Sequence, residues 1–311
     1  MERENSIEVH NLTKDYKKGR GIFDFNFEVK KGEVFGLIGT NGSGKTTTIR
    51  HMMGFIHGDS GKVNINGLDA WKDSAKIKQY IGYVPGQIDF PDVGTGTDFL
   101  KIQSELLGLR DLSDMNDLID RFKIDITAPL RRMSKGMKQK MALVAAFMSD
   151  ADIYILDEPS TGLDPLMRDT LIQLILEKKA QGKTVFMSSH IFKEVEDTCD
   201  TVMFIRNGHI VNLVRRSQFE NDPHETFTVT FASDNDYKRY LEYDHYMLKD
   251  VPLDELIVNK NQKNKQITLN LPMSQINEFL KDLSEYSIAG FSNEAFSIEK
   301  YYTTIVEKME V

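Results

Sequence analysis

The sequence predicts an α/β fold, with a parallel sheet flanked by helices, a small antiparallel sheet before it and a small α+β domain after it. Two patterns support this prediction. In the middle of the chain, short apolar runs alternate with amphipathic stretches of helical period, which is the order that builds a parallel sheet. Near both ends, apolar and polar residues alternate one by one, as in half-buried antiparallel strands. The length of 311 residues is sufficient for two domains.

The first segments predict a small antiparallel sheet and then a buried strand. Residues 22–30 alternate between apolar and polar, and residues 62–66 repeat the pattern on a shorter scale. The alternation predicts that four apolar side chains share one face of the first strand: Phe23, Phe25, Phe27 and Val29. Residues 33–38 differ because their apolar run is nearly continuous, which predicts a strand buried on both faces that stops at Gly39.

The middle of the chain predicts helices first, and then strands that alternate with helices. Residues 98–149 are expected to form a helical subdomain, with candidate helices at 98–108, 113–122 and 137–148. Strands are expected at 152–156, 184–188 and 202–206. An amphipathic helix is expected over 165–181, because Pro165 suits a first helical turn and Gly182 suits a helix end.

Composition changes after about residue 219, so we expect one domain over residues 1–219 and a smaller one over residues 220–311. Strands at 225–231, 255–258 and 266–271 and helices at 273–284 and 296–308 predict an α+β fold for the smaller domain. The net charge of −8 arises there, since residues 220–311 carry 17 acidic and 9 basic side chains, whereas residues 1–219 carry 30 of each. An acidic surface repels nucleic acid, so no nucleic-acid partner is expected.

Composition also excludes several classes of protein. The single cysteine, Cys199, excludes an internal disulfide framework and favours a reducing compartment. The first 16 residues are polar and mixed in charge, unlike a signal peptide. The sequence contains no apolar run of about 20 residues, the length that a membrane-spanning helix needs. We therefore expect that the chain does not cross a membrane by itself.

The segment from Gly39 to Thr46 matches the phosphate-loop pattern G-x-x-x-x-G-K-T. Glycines let backbone amides face anionic oxygens, and the helix expected from Lys45 adds its positive end. The Lys45 ammonium can reach the β- and γ-phosphates of ATP, and the Thr46 hydroxyl can coordinate Mg²⁺. These parts predict a P-loop NTPase core. The expected nucleotide contacts are Gly39, Asn41, Gly42, Ser43, Gly44, Lys45, Thr46 and Thr47.

Two carboxylates follow the buried strand expected at 152–156. Asp157 is expected at the strand end, where it can hold Mg²⁺ directly or through a water molecule. Glu158 comes next, where it can act as general base on an attacking water. Beside a phosphate loop, this pair predicts hydrolysis of ATP.

Several further motifs resemble the ATP-binding subunits of ABC transporters, over roughly residues 6–215. The segment 41–47 is similar to the phosphate loop of that family, and Tyr16 matches the aromatic residue that stacks on adenine. Residues 160–164, ending at Asp164, resemble the family's D-loop. Residues 188–190 end in His190, which resembles the family's switch histidine. The order of these motifs is more specific than any one of them.

Two segments depart from the usual family pattern. Residues 133–137 read Met-Ser-Lys-Gly-Met where the family's signature is Leu-Ser-Gly-Gly-Gln, but Ser134 and Gly136 keep the two positions expected to contact phosphate. In the loop where the family places Pro-Gln, this chain has Pro85-Gly86-Gln87, so that Gln87 follows the usual glutamine position by one residue. Gln87 is a candidate metal contact if the loop is shifted.

The resemblance implies a mechanism and partners. It assigns catalysis to Glu158, His190 and Lys45, and it implies that ATP joins two copies as a homodimer, with Ser134 and Asp164 acting across the interface. It also implies a separate integral membrane permease, bound through residues 85–97 and the helices after them, and hence a cytoplasmic subunit held at the inner face of the membrane. Residues 296–302 weakly resemble the end of drug- or antibiotic-export subunits, which favours export.

Three other functions are compatible with a phosphate loop. A soluble ABC-type ATPase of translation or DNA repair would usually carry two phosphate loops or a long coiled coil, and neither is present. A small-molecule kinase would not need the segments at Ser134, Asp164 or His190. A nucleotide-gated binding subunit with vestigial hydrolysis would not need Glu158 and His190 together.

Overall fold

The computed structural model describes residues 4–216, 224–242, 247–248, 251–252, 256–294, 297–299 and 302. The chain divides into two compact units, Met1–Arg216 and Ser217–Val311. The boundary expected after about residue 219 is close to this division.

The first unit contains ten strands and seven α-helices among its described residues. The strands are β1 Asn5–Asp15, β2 Gly21–Lys30, β3 Val34–Ile38, β4 Ser60–Ile65, β5 Leu68–Asp69, β6 Ile81–Val84, β7 Ile153–Asp157, β8 Thr184–Ser189, β9 Thr201–Arg206 and β10 His209–Arg215. The helices are α1 Lys45–Met52, α2 Ser74–Ile77, α3 Gly96–Leu106, α4 Ser113–Phe122, α5 Lys135–Phe147, α6 Pro165–Ala180 and α7 Phe192–Thr198.

Two sheets organise this unit. Strands β2, β1, β4 and β5 form an antiparallel sheet in that order. The second sheet has the order β10-β9-β3-β8-β7-β6, in which β9 to β6 are parallel and β10 is antiparallel to β9. The α/β fold, the antiparallel sheet and the parallel sheet that the sequence predicts are therefore confirmed.

An apolar core joins the two sheets. The rings of Phe27, Phe35 and Phe186 stack on one another, with centroids 5.5 Å apart between Phe27 and Phe35 and 5.5 Å apart between Phe35 and Phe186. All three side chains are buried. Because Phe27 lies on β2 while the other two lie on β3 and β8, this stack ties the antiparallel sheet to the strands that lead into the site.

The predicted face of β2 is wrong at one residue. Phe25, Phe27 and Val29 are buried as expected, but Phe23 is only partly buried and stacks on His209, and Ile22 is buried instead. Asp24 has a left-handed φ of 52°. The pairing of β2 with β1 shifts at this point, so Asp24 forms a bulge that turns Ile22 and Phe25 to the same face.

The helical subdomain expected at about 98–149 contains α3, α4 and α5, and α4 has the predicted bounds. Helix α3 begins two residues earlier than expected because Thr95 and Asp98 form a capping box before its first turn. Helix α5 also begins two residues early, because the Ser134 hydroxyl accepts a hydrogen bond from the Met137 N–H.

The second unit contains a four-stranded antiparallel sheet of order β14-β15-β11-β16 and a short β-ladder, β12-β13. The strands are β11 His224–Phe231, β12 Met247–Leu248, β13 Val251–Pro252, β14 Ile257–Asn261, β15 Gln266–Pro272 and β16 Ile288–Glu294. Two helices of this unit have both ends among the described residues, Asp234–Glu242 and Ile276–Leu283, the second preceded by a 3₁₀ turn, Met273–Gln275. Phe227, Phe231, Tyr240 and Phe279 contribute to its core.

This unit agrees with the α+β prediction. The strand expected at 255–258 is displaced toward the C-terminus, since β14 runs over 257–261. Most of the helix expected at 296–308 lies outside the described residues, and of those described there, Ile298, Glu299 and Tyr302 are helical. In the part of the chain that the structure describes, every helix is too short or too polar to cross a bilayer.

Candidate functional site

The phosphate loop connects β3 to α1 at the carboxyl end of the parallel sheet, and two of its glycines have no room for a side chain. A Cβ at Gly39 would lie 2.5 Å from the Ile205 carbonyl oxygen. A Cβ at Gly44 would lie 2.6 Å from Ile22 Cγ2, and Gly44 has a left-handed φ of 117°. Both positions therefore require glycine, and the loop is held between β2 and β9.

Lys45, the first residue of α1, is only 5% exposed. Its Nζ donates a hydrogen bond of 2.8 Å to the Gly39 carbonyl oxygen and lies 3.2 Å from Glu158 Oε1. The ammonium is thus held across the mouth of the loop by a carbonyl and a carboxylate. A phosphate that enters the loop would compete with Glu158 for this charge.

Asp157 ends β7 beside the start of α1 and is 1% exposed. The Thr46 hydroxyl donates to Asp157 Oδ2 at 2.8 Å, and the Ser188 hydroxyl donates to Oδ1 at 2.6 Å. This set contains only oxygen atoms, which suits Mg²⁺. Among the described residues no three His, Cys, Asp or Glu side chains form a metal cage. Because Mg²⁺ commonly uses one or two carboxylates together with substrate phosphates, Thr46 and Asp157 fit it.

Glu158 follows Asp157 in a left-handed backbone conformation with φ of 49°. Its N–H donates to Ser188 Oγ at 3.0 Å, which fixes this turn against β8. Glu158 Oε2 lies 3.4 Å from Nδ1 of His190, directly after β8. A left-handed conformation at a residue other than glycine costs of order 1–3 kcal/mol, and the surrounding hydrogen bonds must hold it in place. The turn directs one carboxylate toward both Lys45 and His190.

A cavity of about 380 Å³ opens over this group, which is a size that suits a small ligand. Its lining contains seven of the predicted nucleotide contacts and the predicted general base. These are Tyr16, Asn41, Gly42, Gly44, Lys45, Thr46, Thr47 and Glu158. Arg20 and Gly21 also line it. Gly39 and Ser43 do not: the Gly39 carbonyl binds Lys45, and Ser43 is buried with its carbonyl oxygen accepting a hydrogen bond from the Gly208 N–H.

The remaining predicted contacts lie away from this cavity. Ser134 and Gly136 begin α5, and a Cβ at Gly136 would lie 2.7 Å from the Gly162 carbonyl oxygen. Asp164 is exposed and caps α6, since its Oδ1 accepts a hydrogen bond of 3.0 Å from the Met167 N–H. Within one chain, then, these three residues do not join Lys45. Their predicted contact with a nucleotide of a second copy stays a prediction.

The loop after β6 places Gly86, not Gln87, against Asp157, the candidate metal ligand. A Cβ at Gly86 would lie 2.7 Å from Asp157 Oδ2. Gln87 is exposed, and none of the described hydrogen bonds joins it to Thr46 or Asp157. The role of Gln87 as a metal contact stays a prediction. Tyr83 lies on β6, just before this loop. Burial, and after it the charge of Asp157, raise the pKa of the Tyr83 hydroxyl to about 12.

Three residues of the site region were missed by sequence reasoning. Ser188 pairs in register with Asp157 across β8 and β7, so the strand prediction contained the signal. The Gln139 amide is buried and donates to the Pro159 carbonyl at 2.7 Å, a contact between distant segments that no local pattern reveals. Arg20 lines the cavity from a turn, where the only signal was its closeness in sequence to Tyr16.

Comparison with known proteins agrees with this geometry. The family described as ABC transporter matches residues 22–161. The chain is 29% identical over 292 residues to the ABC transporter ATP-binding protein YtrB of Bacillus subtilis (strain 168), covering 93% of this chain and 99% of that protein. It is 33% identical over 214 residues to the linearmycin resistance ATP-binding protein LnrL of the same organism, covering 66% of this chain and 68% of that protein.

A solved structure of the ATP binding subunit of an ABC transporter is also similar. It is 30% identical, with a TM-score of 0.63, and the match covers 69% of this chain and 91% of that chain. Sequence, fold and the arrangement around Lys45 and Glu158 thus point to one class of protein. The chain belongs to the ABC transporter ATP-binding proteins, the ATPase subunits of these transporters.

Proposed function

We propose that this protein is a Mg²⁺-dependent ATPase that works as an ATP-joined homodimer and drives a separate membrane permease, in the direction of export. The observation that carries the proposal is the contact of Glu158 with both Lys45 and His190 beside the Asp157–Thr46 pair. Such a group has the parts that hydrolysis of a bound triphosphate needs.

In the proposed complex, Tyr16 stacks on adenine and the phosphate loop surrounds the triphosphate. The γ-phosphate takes the place of Glu158 as the partner of Lys45, since it is the stronger anion. Thr46 and Asp157 would hold Mg²⁺, which neutralises charge on the phosphate oxygens, and Gln87 would contribute if its loop moves inward. Displacement from Lys45 leaves the Glu158 carboxylate able to accept a proton.

Hydrolysis then uses the released carboxylate. A water oxygen bonds to the γ-phosphorus while the bond from that phosphorus to the ADP oxygen breaks, and the water proton passes to Glu158. His190, 3.4 Å from Glu158, would orient the carboxylate and hydrogen-bond the γ-phosphate or the water. Lys45 would stabilise the charge of the transferred group.

Dimerisation is supported by the position of α5. Ser134 and Gly136 begin a helix of 13 residues, and neither lines the cavity of its own chain. The start of a helix attracts anions, so we propose that it binds the γ-phosphate held by a second copy. Asp164, on the exposed start of α6, would contact the same interface.

A groove of about 360 Å³ between the sheet and the helical subdomain is the proposed permease site. Its apolar lining includes Phe55, Tyr83, Phe90, Phe99 and Leu107. It begins at the loop after β6, next to Asp157, so a partner seated there would sense the site. Export is supported by the similarity to LnrL, which is named for resistance to linearmycin. The relatives named above are ATP-binding subunits of transporters, which does not favour the alternative of a soluble ATPase without a permease.

The test uses Glu158→Gln, which keeps the shape of the side chain but cannot accept the proton. We expect ATP to convert this variant to a stable dimer, as measured by light scattering, while hydrolysis falls by about 100-fold or more. Lys45→Ala is the matched control and should neither bind ATP tightly nor dimerise. If Glu158→Gln hydrolyses ATP at the wild-type rate, Glu158 is not the base. The permease is tested separately, by identifying integral proteins that co-purify with the tagged chain from membranes.

The metal proposal has its own measurement. Removal of divalent ions with EDTA should abolish hydrolysis, and Mg²⁺ should restore it. Gln87→Ala should then require a higher Mg²⁺ concentration for half-maximal activity, whereas an unchanged Mg²⁺ requirement would remove Gln87 from the metal site.

A further inference from the structure

Arg20 lies on the rim of the nucleotide cavity, outside every motif that the sequence reasoning used. It lines the same cavity as Tyr16, Asn41 and Lys45. It precedes Gly21, the first residue of β2, and follows a run of basic residues, Lys17 and Lys18. Of these three neighbouring cations, only Arg20 lines the cavity.

A closed turn determines where Arg20 leaves the backbone. The Tyr16 N–H donates to the Arg20 carbonyl at 2.8 Å, and the Arg20 N–H donates to the Lys17 carbonyl at 3.2 Å. Lys17, Lys18 and Gly19 all have left-handed φ values, of 73°, 56° and 70°. Because these hydrogen bonds close the turn, Tyr16 and Arg20 lie next to each other where the turn begins and ends.

The residue after Arg20 packs against the phosphate loop. A Cβ built on Gly44 would lie 3.5 Å from the Gly21 carbonyl oxygen. Arg20 therefore lies between Tyr16, which is expected to stack on adenine, and the phosphate loop, which is expected to surround the β- and γ-phosphates. The part of ATP between those two ends is the ribose and the α-phosphate, and only the phosphate is charged.

The charges of the cavity lining favour a phosphate contact. Arg20 and Lys45 are its cationic side chains, and Glu158 is its acidic one. Lys45 already lies 3.2 Å from Glu158, whereas none of the described ion pairs or hydrogen bonds gives the Arg20 guanidinium a carboxylate partner. A guanidinium presents a planar fork of N–H donors that matches phosphate oxygens.

We infer that Arg20 binds the α-phosphate of the nucleotide, and that it holds the junction between the base and the phosphate chain. This inference rests on the nucleotide site proposed above. Since ATP and ADP share the α-phosphate, Arg20 contributes equally to the binding of both. A residue that touched the γ-phosphate would instead distinguish ATP from ADP.

The experiment measures the dissociation constants of ATP and ADP for the full chain by calorimetry, in EDTA so that no hydrolysis occurs. Arg20→Ala should weaken both nucleotides by the same factor, about 5- to 20-fold, and Arg20→Lys should lie between it and the wild type. Lys18→Ala is the matched control, because it removes a cation from the same turn without removing a lining residue. It should leave both dissociation constants unchanged, and melting temperatures verify that all variants are folded.

Each other outcome overturns the inference. Loss of affinity for ATP but not for ADP would place Arg20 at the γ-phosphate. Equal losses of affinity in Arg20→Ala and Lys18→Ala would mean that Arg20 acts only through its positive charge near the cavity, without a specific contact. No change in Arg20→Ala would mean that Arg20 does not touch the nucleotide. Lys45→Ala separates the two levels: if it weakens ATP binding while Arg20→Ala does not, only this inference fails. If Lys45→Ala has no effect, the proposed nucleotide site fails with it.

Discussion

Replacing Gly86 by alanine adds one methyl group directly beside the carboxylate proposed to hold Mg²⁺. The new Cβ would lie 2.7 Å from Asp157 Oδ2 and 2.9 Å from its Cγ, whereas ordinary contact begins at 3.4 Å. Asp157 cannot turn away without cost, because it is buried and holds hydrogen bonds from Thr46 and Ser188. Gly86 has no left-handed φ, so the alanine backbone itself is not strained. The effect should therefore be confined to the carboxylate and its loop.

The magnitude follows from the hydrogen bonds of that carboxylate. Moving Oδ2 by several tenths of an ångström breaks or stretches the hydrogen bond from Thr46. A hydrogen bond to a charged group contributes about 1.5–3 kcal/mol, which corresponds to a roughly 10- to 150-fold loss in kcat if it is needed in the transition state. We expect kcat for ATP hydrolysis to fall within this range.

The assay is steady-state hydrolysis at saturating ATP and Mg²⁺, with ATP binding in EDTA measured alongside. Binding without the metal should match the wild type, because Lys45 and the phosphate loop are untouched. Gly290→Ala is the control, since its added Cβ would meet Thr230 at 3.6 Å, an ordinary contact in the second unit. A Gly86→Ala variant with full kcat would refute the reasoning, because it would mean that Asp157 or its loop relaxes at no cost.

Two further perturbations test the surroundings of the site. Ser188→Ala removes the 2.6 Å hydrogen bond to Asp157 and one of the two acceptors of the Glu158 N–H, and it leaves the other, the Ser188 carbonyl at 3.2 Å. We expect kcat to fall by about 10-fold with little change in melting temperature, and an unchanged kcat would exclude Ser188 as a positioning residue. Burial lowers the pKa of His51, whose Nδ1 contacts the Thr47 carbonyl, so the unfolded chain gains this proton first as the pH falls below about 6.5. Stability should therefore decline from pH 6.5 downward, and the decline should be smaller in His51→Asn; equal pH profiles in thermal melts would contradict this.

The sequence was sufficient to predict the parts of the fold that depend on local pattern. The strand ending at Asp157 and the loop before Lys45 carry both periodicity and a motif, and in the structure the Thr46 hydroxyl joins them by a hydrogen bond to Asp157. The face of β2 was predicted incorrectly at one residue, because the left-handed residue Asp24 shifts the register. A polar residue is expected at that position of an alternating strand, so the sequence pattern does not indicate a bulge there.

The contacts that the sequence could not predict are those between segments far apart in the chain. Arg20 reaches the cavity through a turn whose closure depends on three consecutive left-handed residues, two of them lysines, which rarely adopt that conformation. Gly86 is required by the position of Asp157, which is brought beside it only by the pairing of β6 with β7. Tertiary strand pairing determines the position of Gly86, whereas the local hydrogen bonds of the turn determine that of Arg20 against the usual preference of lysine.

The hydrogen bond from Gln139 to Pro159 has a consequence for how two active sites communicate. It ties the helix that starts at Ser134 to the residue directly after Glu158, and the close approach of Gly136 to Gly162 reinforces the tie. In the proposed homodimer, that helix would read the triphosphate of one half while Glu158 acts on the other. Cleavage of ATP in one site would then shift the Glu158 turn of the other site. Hydrolysis should therefore depend cooperatively on the ATP concentration, and the cooperativity should be lost when the Gln139 amide is removed.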